Sequence, residues 1–352
     1  MKVLMTTDAV GGAWTYSLTL AEALAEHDVV VTLAVMGPPP RADQRTELAA
    51  STIDSVHFGD YALEWMDEPW ADVERAGEWL LRLAEDVAPD VVHLNGYAHA
   101  VLPWGIPVVV VGHSDVLSWH AAVGRVVDAR WTRYRAAVEA GLAAADLLVA
   151  PTRAMLEELA RFYGPPCPSL VVPNGSGREF PSRAKSELVL AAGRLWDEAK
   201  NVQALVRVAP RLRWPVAVAG EGAVGSGVDA LGRLSRDEID EALAAAAIFA
   251  APARYEPFGL AALEAGLAGC ALVLGDIASL REVWGGAAAF VDPDDDRALE
   301  NALQALIDDH ELRGDCAERA RRRALEYSAA RMADGYLSAY TRVLRRERVE
   351  AR

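Results

Sequence analysis

Short, nearly continuous apolar runs alternate with amphipathic stretches along the first half of the chain. Val3–Thr7, Val29–Val35, Val91–Leu94, Val108–Val111 and Leu147–Ala150 lack the period-two alternation of a half-exposed strand. Strands of that composition are buried on both faces, as in a parallel sheet covered by helices. Between them, Thr15–Glu26, Ala71–Val87, Trp131–Leu142 and Thr152–Phe162 carry helical patterns. The β-α alternation predicts a doubly wound sheet.

Gly164-Pro165-Pro166-Cys167-Pro168 stops the last of these helices, and Leu170–Val172 forms a short strand. From Pro173 to Lys185 the chain is rich in Pro, Gly and Ser, the composition of a hinge. A second β-α series follows. Its strands are Leu188–Ala192, Val216–Ala219, Ile248–Ala251, Ala271–Leu274 and Ala287–Val291. Its helices are Asn201–Leu212, Arg236–Ala246, Phe258–Leu267 and Arg297–Asp309, the last capped by the acids of Asp292–Asp296, with two more helices after it. The expected fold class is α/β: two Rossmann-like, doubly wound parallel-sheet domains facing a cleft.

Composition supports two soluble domains: 352 residues, 52% hydrophobic and 24% charged. With 35 Lys+Arg against 51 Asp+Glu the net charge is −16, which opposes binding to nucleic acid and to anionic membrane. The charge is uneven. Residues 1–174 hold 11 basic and 23 acidic side chains, a net of −12, and residues 175–352 hold 24 and 28, a net of −4. Three scattered cysteines with no C-x-x-C argue against a disulfide framework or thiolate zinc site and point to a reducing cytoplasm. The N-terminus lacks the apolar core of a signal peptide, and no run reaches the roughly 18 apolar residues of a membrane span.

Five constellations carry candidate chemistry. Asp8-Ala9-Val10-Gly11-Gly12 follows the first strand, where paired glycines allow close backbone approach to a ligand or simply serve a tight βα turn. Gly193-Arg194 and Lys200-Asn201 place two cations at a strand's C-terminal end, in a chain with only three lysines, either to meet a ligand or as solvated charges and salt-bridge partners. Glu256-Pro257-Phe258-Gly259-Leu260 precedes Glu264 on the following helix. Carboxylates there suit vicinal hydroxyls, and the helix N-terminus suits a diphosphate. Glu264 sits among apolar residues and needs a partner. His113, in Gly112-His113-Ser114-Asp115, is placed either to hydrogen-bond a sugar or a phosphate or to serve a structural role, and Asn95-Gly96-Tyr97 ends another strand, as a cleft lining or a simple strand-end turn. His93, His99, His113 and His120 match no metal-binding spacing, so no metal is expected.

Together these residues resemble the retaining GT-B glycosyltransferases of group 1, glycosyltransferase family 4, over nearly the whole chain. E-x7-E from Glu256 to Glu264, with its Pro-Phe-Gly, is the most specific part. The resemblance implies an acceptor-side domain over residues 1–174, a nucleotide-sugar domain over 175–329, and a C-terminal helix, about 330–352, returning to the first. It implies a retaining hexosyltransferase that moves a sugar from a nucleotide diphosphate, UDP by frequency in the family, without a metal or other cofactor. Gly11 and Gly12 would approach the donor, and His113 would lie beside its sugar. Arg194 and Lys200 would hold the diphosphate, and Glu256 would contact sugar hydroxyls near the backbone of Phe258, Gly259 and Leu260. Glu264 would bind the ribose, and Gly232, Arg233 and Leu234 the base. Asn95, Tyr97 and Asp115 fall to the acceptor side. The acidic first half suggests a soluble acceptor and weak affinity for anionic membrane. Ser176-Gly177 after Pro173-Asn174-Gly175, and Pro252-Ala253, depart from the family's usual residues. An epimerase of the same fold, or a non-catalytic nucleotide-sugar-binding subunit, are the alternative readings.

Overall fold

In the computed structural model, which describes residues 1–53, 55–165 and 167–350, the apolar runs form two separate parallel sheets. Pro166 of the predicted helix stop and residues 351–352 lie outside the described residues. The chain divides into two units. One contains residues 1–121, 125–175 and the chain from 329 onward; the other contains 122–124 and 176–328.

In the first unit the order is β1 (Lys2–Asp8), α1 (Gly12–Ala25), β2 (Val30–Met36), α2 (Ala42–Ala50), β3 (Ser55–Phe58), α3 (Trp70–Val87), β4 (Val91–Leu94), β5 (Val108–Val111), α4 (Val116–Ala122), α5 (Thr132–Ala144), β6 (Leu147–Ala150), α6 (Arg153–Tyr163) and β7 (Ser169–Val171). Its sheet runs β3-β2-β1-β4-β5-β6-β7 with every pairing parallel. Val92, Leu94, Val108, Val110 and Leu148 pack with Tyr134, Val138 and Leu159 on one face, while Leu4 and Ala34 meet Leu80 and Leu83 of α3.

The second unit contains β8 (Ser186–Ala192), α7 (Val202–Val208), β9 (Val216–Ala219), β10 (Asp229–Gly232), α8 (Arg236–Ala245), β11 (Ala246–Ala251), α9 (Leu260–Leu267), β12 (Ala271–Gly275), α10 (Ala278–Trp284), β13 (Ala289–Val291), α11 (Asp296–Asp308) and α12 (His310–Ala324). The sheet order is β10-β9-β8-β11-β12-β13, again parallel throughout. Successive strand residues serve opposite faces. Val189, Ile248 and Val273 pack under α7 and α11, while Leu190, Phe249 and Leu272 pack under α9, α10 and α12. The final helix, α13 (Ala329–Glu350), rejoins the first unit and packs on α1 and β5.

The strands match their predicted positions to within two residues. Three helices differ for local reasons. Helix α1 starts at Gly12 rather than Thr15, because Gly11 takes φ +97° as its N-cap. Helix α9 starts at Leu260 rather than Phe258, behind Gly259 at φ +92°. Helix α7 ends at Val208, where Pro210 brings a 3-10 turn over Ala209–Arg211. The elements α2, β3, α4, β10 and α10 have no counterpart in the apolar pattern. Strand β10 is exposed along its length, and Gln44 is the buried residue of α2.

Candidate active-site residues

In the second unit, β8 delivers the loop that carries both cations. Gly193 at φ +156° ends the strand, and Leu195 N–H bonds the Glu221 carbonyl at 3.1 Å to fold the loop back. Asp197 is buried, caps the 3-10 turn Glu198–Lys200 by accepting from Ala199 N–H at 3.0 Å, and accepts from Arg194 Nη2 at 2.8 Å. Arg194 Nε is buried without a hydrogen-bond partner, an unused donor beside the cation pair. The turn then presents Lys200, whose Nζ donates to Glu256 Oε2 at 2.6 Å.

That approach is built by the backbone around Asn201. Asn201 holds a left-handed φ of 55° and donates from Nδ2 to the carbonyls of Pro252 (2.9 Å) and Pro293 (2.7 Å). Its Oδ1 accepts from Arg254 Nη1 at 2.7 Å, and Arg254 N–H bonds the Ala199 carbonyl at 2.8 Å. Ser279 Oγ donates to the Glu256 carbonyl at 2.6 Å. The loops after β8 and β11 are thereby stitched together, which brings Lys200 to Glu256. Phe258 is buried edge-on against Tyr327, and Gly259 caps α9.

Glu264, on α9, has the partner its apolar setting demands. Arg178 Nη1 lies 2.6 Å from Glu264 Oε1, and the same guanidinium pairs with Asp240. All three side chains are largely buried, and the Arg178 guanidinium also stacks over Phe180. Arg178 and Asp240 were not recognised as site residues from sequence: the arginine lies in the Pro/Gly/Ser-rich segment, and Asp240 reads as one of several acids on α8. The departure at Ser176-Gly177, directly before Arg178, is the signal that could have found it. Gly232 ends β10 at φ +66° with Arg233 exposed, and Leu234 precedes Ser235, the N-cap of α8.

In the first unit, Gly11 and Gly12 are exposed at the N-terminus of α1, with Asp8 Oδ1 accepting from Val10 N–H at 2.7 Å. Asn95 and His113 stand at the ends of adjacent parallel strands β4 and β5, and His113 Nε2 lies 2.8 Å from Asn95 Oδ1. Tyr97 is buried and donates to the Ser114 carbonyl at 3.0 Å. Asp115 is buried; its Oδ1 accepts from Ser118 N–H and from Tyr163 Oη, each at 2.8 Å. Burial raises the Asp115 carboxyl above the usual carboxylate range. It also lowers both histidines, His113 to about 4 and the neighbouring His93 to about 3. His99 Nε2 and His120 Nδ1 bond the backbone carbonyls of Val73 and Val116. Among the described residues no three His, Cys, Asp or Glu side chains group as a metal site.

The loop after β8 thus carries two cations, one paired with Asp197 and one with Glu256, close in the chain to the start of α9, in an α/β protein of the GT-B fold class. The sequence pattern described as Glycosyltransferase Family 4 matches residues 10–176, and that of Glycosyl transferases group 1 matches 177–323. The chain belongs to the group-1 glycosyltransferases. A glycogen synthase of Mycobacterium tuberculosis is 29% identical over 345 residues, covering 85% of this chain and 82% of that protein. Among solved structures, a sucrose-phosphate synthase from Thermosynechococcus elongatus superposes with a TM-score of 0.82 at 17% identity, over 97% of this chain and 98% of that one. Anabaena HepE, in complex with UDP and glucose, reaches 0.77 at 16% identity, over 97% and 99%. No described helix is long and apolar enough to cross a membrane.

Proposed function

We propose that this glycosyltransferase moves a hexose from a nucleoside diphosphate sugar to a soluble, neutral acceptor, with retention of anomeric configuration. The observation that carries the reading is the Lys200–Glu256 pair at 2.6 Å, with Arg194 on the same loop. A diphosphate drawn to Lys200 competes with Glu256 for the ammonium, and the released carboxylate is then free to accept hydrogen bonds from sugar hydroxyls. One contact thus adjoins phosphate and sugar, at the bond to be broken. Arg194 offers the unused Nε to a phosphate oxygen.

Departure of the nucleoside diphosphate needs charge stabilisation more than a strong base. Lys200, Arg194 and the N-terminus of α9 offset the developing charge, so the reading needs no metal. In a retaining front-face transfer the departing phosphate deprotonates the incoming hydroxyl. Glu264 takes the ribose hydroxyls, and the backbone of Gly232, Arg233 and Leu234 the base. The relative named a glycogen synthase supports a glucosyl unit and a glucan acceptor, and HepE, crystallised with UDP and glucose, supports UDP.

Thermal shift with UDP, ADP and GDP, followed by transfer assays with the matching glucose donors, tests this. A cognate diphosphate at a hundred times its Kd stabilises by about 2.7 kcal/mol. NMR of the product should show the donor's anomeric configuration. No response to any of the three diphosphates would sink the proposal, an inverted product would remove retention, and donor conversion without acceptor would replace transfer by epimerisation.

A further inference from the structure

The amide of Asn95 is the centre of a saturated hydrogen-bond network whose proton directions follow from its end points. Asn95 Nδ2 donates to the Thr6 carbonyl at 2.7 Å and to Ser17 Oγ at 3.1 Å. A carbonyl only accepts, so the nitrogen of the amide must face Thr6. The Ser17 branch agrees. Thr7 Oγ1 donates to the Ala13 carbonyl at 3.3 Å and therefore accepts from Ser17 Oγ at 2.9 Å, which leaves Ser17 to accept from Asn95. Asn95 Oδ1 consequently faces the two imidazoles: His113 Nε2 at 2.8 Å and His93 Nε2 at 3.1 Å.

An amide oxygen has no proton to give. Both ring nitrogens that meet it must carry theirs. His93 Nδ1 is then a lone pair and accepts from Tyr340 Oη at 2.7 Å, from α13, 247 positions along the chain. Tyr16 Oη lies 3.3 Å from the same His93 Nε2 and, with the proton on that nitrogen, can only accept from it; the Tyr16 ring packs edge-on against His113, with centroids 4.4 Å apart.

Building on the transferase reading, we infer that Asn95, backed by His93 and Tyr340, is a positioning residue that locks His113 as the neutral Nε2–H tautomer with Nδ1 as a hydrogen-bond acceptor. Two consequences follow. An amide with all four of its hydrogen bonds made has nothing left for an acceptor sugar, so Asn95 acts through His113 rather than by touching substrate. His113, half-buried, offers the ligand a lone pair and no N–H. It recognises a hydroxyl of a substrate sugar that donates a hydrogen bond, and it repels phosphate oxygens, which bring only lone pairs. The lowered basicity of both histidines keeps the network neutral around pH 7.

Long-range 1H–15N correlation of the histidine rings in the intact protein reads the tautomers directly. The His113 signals are assigned by their loss in His113→Gln. The expected result at neutral pH is a protonated Nε2 and an unprotonated Nδ1 on both His113 and His93. A proton on His113 Nδ1, or an imidazolium, would overturn the proposal. In Asn95→Leu the His113 ring should pass to a tautomer mixture. Its kcat should fall on the order of tenfold to a hundredfold with nucleoside diphosphate affinity unchanged. Tyr340→Phe, a smaller perturbation, should lower kcat in the same sense. An unaltered His113 tautomer and kcat in a folded Asn95→Leu would equally overturn it. Should that variant not fold, the wild-type spectrum decides. A wild-type protein without transferase activity but with this tautomer would refute the function and leave the network standing.

Discussion

Lys200 and Glu256 are 56 positions apart, and each gains its meaning from the other. Lys200→Ala should lower kcat/KM by about 10²–10³-fold, the usual effect of removing one charge-stabilising group, with little change in Tm because the lysine is partly solvated. Arg178 behaves differently. It is buried between Glu264 and Asp240, so Arg178→Met leaves two acids facing an apolar side chain. We expect a loss on the order of 3 kcal/mol in chemical denaturation, and a raised KM for the donor as Glu264 loses its orientation. The histidines set the acid limit. Their unfolded pKa is near 6.5 and burial depresses both in the fold, so the unfolded chain binds more protons between those values. Stability should therefore be intact above about pH 6.5 and fall with acidification toward pH 4 and below. Thermal melts of wild type and His93→Gln against pH check this; the variant should show a shallower decline. Of this chemistry, Lys200, Glu256, Glu264 and His113 were legible in the sequence, because each lies in a strand-end motif of recognisable spacing. Asp240 and Tyr340 were not, because their partners are distant in sequence and nothing local marks them; Arg178 was signalled only by the departure at Ser176-Gly177 just before it.

At the scale of elements, legibility followed burial. Strands β1, β4, β5, β6, β9 and β12 are covered on both faces, so an unbroken apolar run was enough to place them. Edge strands β3 and β10 lack that cover and carry no such run. Helix starts depended on backbone conformations that composition only hints at. Gly259 at φ +92° sets where α9 begins, and thus where its N–H groups point. Gly259→Ala imposes a left-handed alanine and a Cβ 3.2 Å from Leu280. It should cost about 1–2 kcal/mol in unfolding and weaken nucleoside diphosphate binding more than it weakens the fold. Isothermal titration beside a denaturation curve separates the two effects. Helix α13 was expected as one of two helices after α11, but its hydrogen bond to His93 could be seen only once the chain had folded.

For the whole molecule, charge changes its meaning once the units are known. Divided at residue 174 the sequence reads −12 and −4. The first unit also owns the C-terminal helix, so it holds 17 basic and 26 acidic residues, a net of −9, while the other holds 18 and 25, a net of −7. Both units are acidic. Flotation at physiological salt should leave the protein unbound to vesicles rich in anionic lipid; co-flotation would show a basic face that net charge conceals. The sequence by itself determined the α/β class and the core strands. Those depend on local spacing and on the free energy of burying apolar runs, which any fold of this chain must satisfy. The tertiary structure alone decided that Arg178 holds Glu264, that Asn201 ties two loops so that Lys200 meets Glu256, and that Asn95 dictates the protons of two histidines. Hydrogen bonds and ion pairs act over about 3 Å, and only the packed chain brings such distant residues that close.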